Sequence, residues 1–219
     1  MRIGILGCDA IRNEIEMVTA DDPDVVYREY LEFGLHMQPE DLKKAILDKL
    51  NSLPVRLDIV FLGYGYCQAL KGIPDLVKIP VVMLEHEDCI AAMLTTERYN
   101  QEKKNGGITW FYPAGWSTYG MPGIVNLFHL DCMNDEGYDP KFFLDMLFDG
   151  FSRCLYIDTG CTECTEECKS NSEHFAELLD LRHESVKGSL DLIKDAWSET
   201  KSKAAEICSE KNRRNHDTV

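Results

Sequence analysis

Short and almost uninterrupted apolar segments alternate with amphipathic segments along this chain. An apolar run of about four to eight residues that ends at glycine or a polar turn is typical of a strand buried on both faces. The amphipathic segments have apolar residues at helical spacing, and the clearest, at 39–53, begins with proline and acidic residues. The alternation predicts an α/β fold, with a mostly parallel sheet or sheets and helices on both faces. The segments that we interpret as buried strands are RIGILG (2–7), LDIVFLGYG (57–65), KIPVVMLE (78–85) and RCLYIDTG (153–160).

The length of 219 residues allows one large α/β domain or two small ones. We expect a single α/β domain over residues 1–208, built from Rossmann-like units with cysteines at the carboxyl ends of strands. Any division into two subdomains is expected near 104–120, after the turn signal KKNGG. Residues 209–219 are expected to form a polar tail.

A net charge of −15 limits the partners of this chain. It argues against nucleic acid, because nucleic-acid binding requires a basic surface that neutralises phosphates. It also argues against an anionic membrane surface, and no apolar run approaches the roughly 18–20 residues of a membrane span. The N-terminus lacks the pattern of a signal peptide. We therefore expect a cytoplasmic protein whose nine cysteines are thiols or metal ligands instead of disulfides.

Three of the cysteines follow apolar segments of the predicted sheet. Cys8 follows RIGILG, Cys67 follows IVFLGYGY, and Cys89 follows VVMLEHED. Open α/β sheets bind ligands outside the carboxyl ends of their strands, so we expect the three thiols to converge at one edge. Three thiolates form a soft site that suits an iron–sulfur cluster (4Fe–4S) with one open iron, which we favour, or zinc. The alternative is that each is a small buried residue, because free cysteine is among the most buried residue types.

Polar residues and glycines near these cysteines are candidates for a substrate site. His86 and Asp88 fall on one side of the segment LEHEDCI and could act as general acid or base. Asp88 could equally cap the helix that begins there. Gly63 and Gly65 allow close approach of the backbone and could cradle a bound anion. Asp158, at the end of a further predicted strand, is the third catalytic candidate.

A second group of cysteines follows the predicted strand at 153–160. Cys161, Cys164 and Cys168 form the pattern CxxCxxxC, and in a helix these positions lie on one face. Such a stripe could hold a second cluster, or a zinc ion with a fourth ligand from elsewhere. The alternative is a thiol patch without metal. The neighbouring glutamates would make such a patch a poor nucleophile, because like charge raises thiol pKa values.

Several segments together resemble the DUF1638 family, an uncharacterised group frequent in methanogens and other anaerobes. They occur in the order and spacing of the family over about residues 1–197, and Cys8, Cys67 and Cys89 match its three cysteine positions. One departure is that Glu87 stands where members often have a histidine. The segments that carry the resemblance are RIGILGCDAIRNEI, FLGYGYCQALKGI, EDCIAAMLTTERY, TWFYPAGW, SRCLYIDTG and NSEHFAELLDL.

The resemblance implies a metabolic setting and no particular activity. Family members are often encoded near corrinoid-dependent methyltransferases, which implies a role in anaerobic one-carbon metabolism. We therefore expect a metalloprotein whose open metal position binds a small-molecule substrate or a methyl group. The alternative is a non-catalytic accessory protein or metal chaperone that binds a corrinoid protein or a methyltransferase. A homodimer is a further expectation, because apolar segments such as FFLDMLF (142–148) can supply an interface.

Overall fold

The structure, a computed structural model, describes residues 1–105, 107–130, 137, 139–163 and 165–216. The chain divides into two compact units. Unit 1 comprises residues 1–92 and 190–219, and unit 2 comprises residues 93–189. Each unit contains one sheet in which all strands are parallel. The predicted α/β class with Rossmann-like alternation is therefore confirmed.

The sheet of unit 1 has four strands in the order β2-β1-β3-β4. They are β1 (Ile3–Cys8), β2 (Val25–Leu31), β3 (Ile59–Gly63) and β4 (Val81–Met83). Every residue of β1 and β3 is buried, as their unbroken apolar sequences predict. The strand order changes direction between β1 and β3, where Gly7 pairs with Gly63. This change of direction is the position at which open parallel sheets bind ligands.

The sheet of unit 2 has three strands in the order β5-β6-β7. They are β5 (Ile108–Pro113), β6 (Phe151–Asp158) and β7 (Arg182–Lys187). Aromatic rings dominate the core beside this sheet, and Phe175 lies 5.2 Å from Tyr112 and 5.1 Å from Phe148 between ring centroids. One charged side chain, Arg153, is also buried here and forms an ion pair with Glu102.

Helices connect the strands of both units. In the described residues they are α1 (Arg12–Thr19), α2 (Pro39–Asn51), α3 (Ile73–Leu76), α4 (Cys89–Leu94), α5 (Thr96–Lys104), α6 (Ala114–Ser117), α7 (Gly120–Leu127), α8 (Pro140–Leu147), α9 (Thr165–Leu178) and α10 (Asp191–His216). None of these helices combines the length and the apolar character that a membrane span requires.

The spacing of apolar residues at 88–103 predicts one helix, but the segment contains a break. Thr95 has a φ of 70°, in the left-handed region, and separates α4 from α5. Its side-chain oxygen accepts a hydrogen bond from the backbone N–H of Arg98 at 3.4 Å. Threonine therefore acts as the N-cap of a new helix instead of continuing the old one.

The C-terminal helix α10 packs on the sheet of unit 1, where Trp197 meets the ring of Phe61 edge-on at 5.8 Å. The sequence after Ser189 predicts a helix that ends near Cys208, but the helix continues to His216. Most of the segment expected as a polar tail is therefore helical. Lys211 explains part of this extension, because its Nζ lies 2.6 Å from a carboxylate oxygen of Asp58.

Candidate metal site

A potential metal ligand follows the carboxyl end of each strand in the sheet of unit 1. Cys8 ends β1, His36 follows β2 in the 3-10 helix Phe33–Met37, Cys67 follows β3, and Cys89 begins α4 after β4. Because the four strands are parallel, their carboxyl ends lie at one edge of the sheet. The structure brings together the three cysteines that the sequence singled out and adds a histidine to them.

Cys8, His36 and Cys89 are close enough to share one ion, and Cys67 adjoins Cys89. The Sγ atoms of Cys67 and Cys89 are 3.9 Å apart, and the Sγ atom of Cys8 lies 4.0 Å from Nδ1 of His36. One ligand atom each of Cys8, His36 and Cys89 lies within 4.8 Å of the other two. In the part of the chain that the structure describes, no other group of three or more such side chains is arranged this closely.

Backbone pairing beyond the sheet places Cys67 beside Cys89. The N–H of Tyr66 donates to the carbonyl of His86 at 2.8 Å, and the N–H of Cys67 donates to the carbonyl of Glu87 at 3.0 Å. The segments after β3 and β4 therefore continue side by side after the strands themselves have ended. This pairing brings the two thiols together although they are 22 residues apart in sequence.

The backbone at Cys67 adopts a conformation that residues other than glycine rarely adopt. Cys67 has a φ of 39°, and Gln68, which follows it, has a φ of 66°. Each residue in the left-handed region carries strain of about 1–3 kcal/mol, which the surrounding structure must offset. Such strain occurs most often at functional sites, where it aims a side chain. Here it accompanies the turn that directs the Cys67 thiol toward Cys89.

The segments after β3 and β4 come close together at Gly65. A Cβ atom at this position would lie 2.6–2.9 Å from three backbone atoms of Asp88. Asp88 directly precedes Cys89, so this close approach helps to position a ligand. At Gly63 the corresponding space is occupied by the side chain of Ile15. Close packing accounts for both glycines, and their role in binding an anion stays a prediction.

We expect Gly65→Ala to weaken the binding of Zn²⁺ by at least about tenfold. The added methyl group must displace the backbone that leads into Cys89, and metal–ligand distances tolerate only about 0.2 Å of change. Competition with a chromophoric chelator measures the affinity. Gly4→Ala is the control, because the nearest atom there is the flexible end of Leu57. Equal Zn²⁺ affinities in the two variants would contradict the role of Gly65.

Hydrogen bonding among the thiols favours Cys89 as the thiolate. Burial raises the pKa of the Cys8 thiol well above its usual value. The hydrogen bond to Cys89, together with burial, raises the pKa of Cys67. Hydrogen bonds from Cys67, Cys8 and His36 lower the pKa of Cys89. A cation that binds all three sulfurs must therefore displace protons from Cys8 and Cys67, which makes its affinity dependent on pH.

His36 is the potential ligand that the sequence reasoning missed. It is half-buried, whereas the exposed fractions of Cys8, Cys67 and Cys89 are 0%, 9% and 5%. Its Nδ1 lies 3.1 Å from the carbonyl oxygen of Phe33. If Nδ1 donates its hydrogen there, Nε2 is the nitrogen left to bind a metal, and histidine ligands usually bond their other ring nitrogen to a carbonyl in this way. The sequence does contain one indication of its role: His36 follows β2, just as the cysteines follow the other three strands.

The three catalytic candidates have identifiable structural positions. Asp88 accepts a hydrogen bond from the N–H of Ala91 at 2.9 Å, so it caps α4. His86 is half-buried, and burial lowers its pKa, so the imidazole is uncharged at neutral pH. Asp158 ends β6 in unit 2 and accepts a hydrogen bond from the N–H of Gly160 at 2.9 Å. Their roles in proton transfer stay predictions.

The CxxCxxxC segment belongs to unit 2. Cys161 lies before α9, its Sγ 3.7 Å from the carbonyl oxygen of Thr159, and Cys164 lies outside the described residues. Cys168 is a fully buried residue of α9 that packs with Ala114 and Tyr156. Because α9 begins at Thr165, Cys161 does not share its helical face. A second metal site in this segment stays a prediction.

Comparison with known proteins identifies one family. The family model described as "Protein of unknown function (DUF1638)" matches residues 30–197, which is more than half of the chain. The chain belongs to the DUF1638 family. The matched range includes His36, Cys67 and Cys89 and begins after Cys8. Neither curated proteins nor solved structures provide a significant match.

Proposed function

We propose that this DUF1638 chain is a metalloprotein that binds one soft cation, zinc in the first instance, through Cys8, Cys67, Cys89 and His36. The observation that carries this proposal is the convergence of four soft or borderline ligands from four parallel strands at one edge of a sheet. Thiolate and imidazole ligands together select zinc and related cations over magnesium or calcium, which prefer oxygen.

One distance between ligand atoms, from Cys67 to Cys89, supports a single ion over a cluster. Two sulfurs that bind one tetrahedral zinc ion at about 2.3 Å are about 3.8 Å apart. The Cys67 and Cys89 sulfurs are 3.9 Å apart. In an iron–sulfur cluster each cysteine binds a different iron, so the cluster core lies between the sulfurs and holds them farther apart. The iron–sulfur cluster is therefore the alternative in this proposal.

Unequal exposure of the ligands suggests where a substrate would enter. The thiols are buried and His36 is half-buried, so a small molecule could replace the imidazole and leave the three sulfurs in place. A divalent cation bound by three thiolates is electron-rich, which favours a soft substrate such as a thiol. We propose, on the basis of the family resemblance, that this chemistry serves methyl transfer in one-carbon metabolism with a corrinoid protein or a methyltransferase as partner.

Titration of the reduced, metal-free protein with Zn²⁺ tests the proposal. We expect binding of one ion at this site and a rise in melting temperature, because only the folded state brings the four ligands together. An ion present at about one hundred times its Kd stabilises the protein by about 2.7 kcal/mol. In a chain of this size that corresponds to roughly 5–10 °C.

The affinity for Zn²⁺ is expected to fall as the pH falls. Displacement of the protons of Cys8 and Cys67 predicts a change of about 100-fold per pH unit below their pKa values.

A chain that binds no Zn²⁺ would contradict the proposal. A brown protein with bound iron and sulfide after anaerobic isolation would favour the cluster alternative.

A second candidate function, an accessory protein or metal chaperone, draws on the surface of α8. Phe142 and Met146 on this helix have exposed fractions of 52% and 64%, and Leu147 is exposed as well. Contiguous exposed apolar side chains often mark interaction surfaces. A chaperone is expected to transfer Zn²⁺ to a metal-free methyltransferase faster than free chelator removes it. Transfer no faster than spontaneous release would argue against this role.

A further inference from the structure

Tyr64 is a fully buried phenol beside the candidate metal site. It follows β3 directly, and its ring stacks on that of His36 with 5.9 Å between centroids and 24° between planes. Its hydroxyl group has no hydrogen-bond partner among the described residues. A buried hydroxyl without a partner is costly and rare, so it requires an explanation.

The thiols of Cys8, Cys89 and Cys67 act electrostatically on this phenol. A tyrosine hydroxyl carries its hydrogen at physiological pH, because its ordinary pKa is about 10. A neutral phenol can donate one hydrogen bond, and a thiol is only a weak acceptor. A thiolate accepts a much stronger, charge-assisted hydrogen bond. The acceptor that suits Tyr64 is therefore a thiolate ligand of the site.

We propose that Tyr64 donates a hydrogen bond to a metal-bound thiolate and thereby stabilises the loaded site, an inference that rests on the proposed cation site. When a divalent cation binds, any of the three thiols that still carries a proton releases it to solvent, and three thiolates leave one net negative charge on the buried centre. A buried charge requires hydrogen-bond donors. Tyr64 is suited to this role because its hydroxyl has no competing acceptor among the described residues. It is a positioning residue and not a ligand.

Tyr64→Phe removes the hydroxyl and keeps the packing of the ring. We expect the variant to bind Zn²⁺ 10–100-fold more weakly, the effect that is usual for loss of a hydrogen bond to a metal ligand. The melting temperature of the metal-free variant is expected to be unchanged or higher, because no hydrogen bond is lost in that state. In the Co²⁺-loaded variant the thiolate-to-cobalt absorption is expected to move to lower energy, since a thiolate without a hydrogen bond is oxidised more easily.

Tyr112→Phe is the matched control. Tyr112 is also fully buried with a hydroxyl that lacks a partner in the described residues, but it belongs to the core of unit 2. Its replacement is expected to leave Zn²⁺ affinity and the cobalt absorption unchanged.

The outcomes separate the role of Tyr64 from the existence of the site. Equal Zn²⁺ affinities in Tyr64→Phe and the unaltered chain would overturn the role of Tyr64 and leave the cation site standing. A loss of both affinity and metal-free stability would identify Tyr64 as a packing residue and overturn its role as donor. Failure of the unaltered chain to bind either Zn²⁺ or Co²⁺ would overturn both proposals.

Discussion

Cys89→Ser is expected to weaken the binding of Zn²⁺ by more than about 100-fold, since loss of a residue that only supports a ligand already costs 10–100-fold. Cys89 is the central thiol of the site: its Sγ lies 3.9 Å from that of Cys67, and one ligand atom each of Cys8 and His36 lies within 4.8 Å of it. Serine has nearly the same shape but offers a hard hydroxyl with a high pKa in place of a thiolate. Chelator competition under reducing conditions measures the affinity.

Cys154→Ser is the control for this experiment. Cys154 is fully buried, as Cys89 nearly is, but it lies in β6 of unit 2, where its Sγ contacts the carbonyl oxygen of Ser172 at 3.9 Å. It should lose some stability and keep its affinity for Zn²⁺. If Cys89→Ser bound Zn²⁺ as tightly as Cys154→Ser, the three-thiol site would be wrong.

Arg153→Met is expected to lower the free energy of unfolding by about 3–5 kcal/mol, the usual effect of breaking a buried ion pair by removing one partner. Arg153 is 2% exposed, and its Nη1 lies 2.8 Å from a carboxylate oxygen of Glu102, which is 5% exposed. Its Nη2 also donates to the backbone carbonyl of Glu102 at 2.7 Å. Methionine fills much of the space of the arginine side chain, but the charge of Glu102 stays buried. Among the described residues, Arg98 is then its remaining ion-pair partner. Urea unfolding measures the loss.

Two further variants test the explanation of this loss. Arg182→Met removes an arginine that is 55% exposed and pairs with Glu184, so we expect a change below about 1 kcal/mol. Adding Glu102→Leu to Arg153→Met should recover much of the stability, because apolar residues often replace a buried ion pair without cost. A loss below about 1 kcal/mol in Arg153→Met itself would show that the pair contributes little.

The strands and the region of the site could be predicted from local sequence. A strand buried on both faces needs a continuous apolar run, and the runs around β1, β3, β4 and β6 are long enough to recognise. Ligands bind at the carboxyl ends of parallel strands, and this rule predicts a site at Cys8, Cys67 and Cys89. The assignment of these cysteines to strand ends does not depend on which strands are neighbours in the sheet.

The breaks within helical segments were harder to predict. The sequence at 88–103 has helical spacing throughout, yet Thr95 caps a second helix there. Likewise the spacing of Cys161 and Cys168 suits one helical face, but α9 begins only at Thr165. In both cases the choice between continuing and ending a helix depends on small differences in capping free energy, which helical periodicity does not report.

The sequence by itself determined the α/β class, the buried strands and the presence of thiols at three strand ends, because each of these depends on residues that are neighbours in the chain. The tertiary structure alone decided that His36 joins the thiols, since this depends on β2 pairing beside β1 with Cys8 opposite Leu31. It also decided that the sulfurs of Cys67 and Cys89 lie 3.9 Å apart. Distances between side chains on different strands result from sheet order and backbone turns, such as the left-handed turn at Cys67, and local sequence patterns do not contain them.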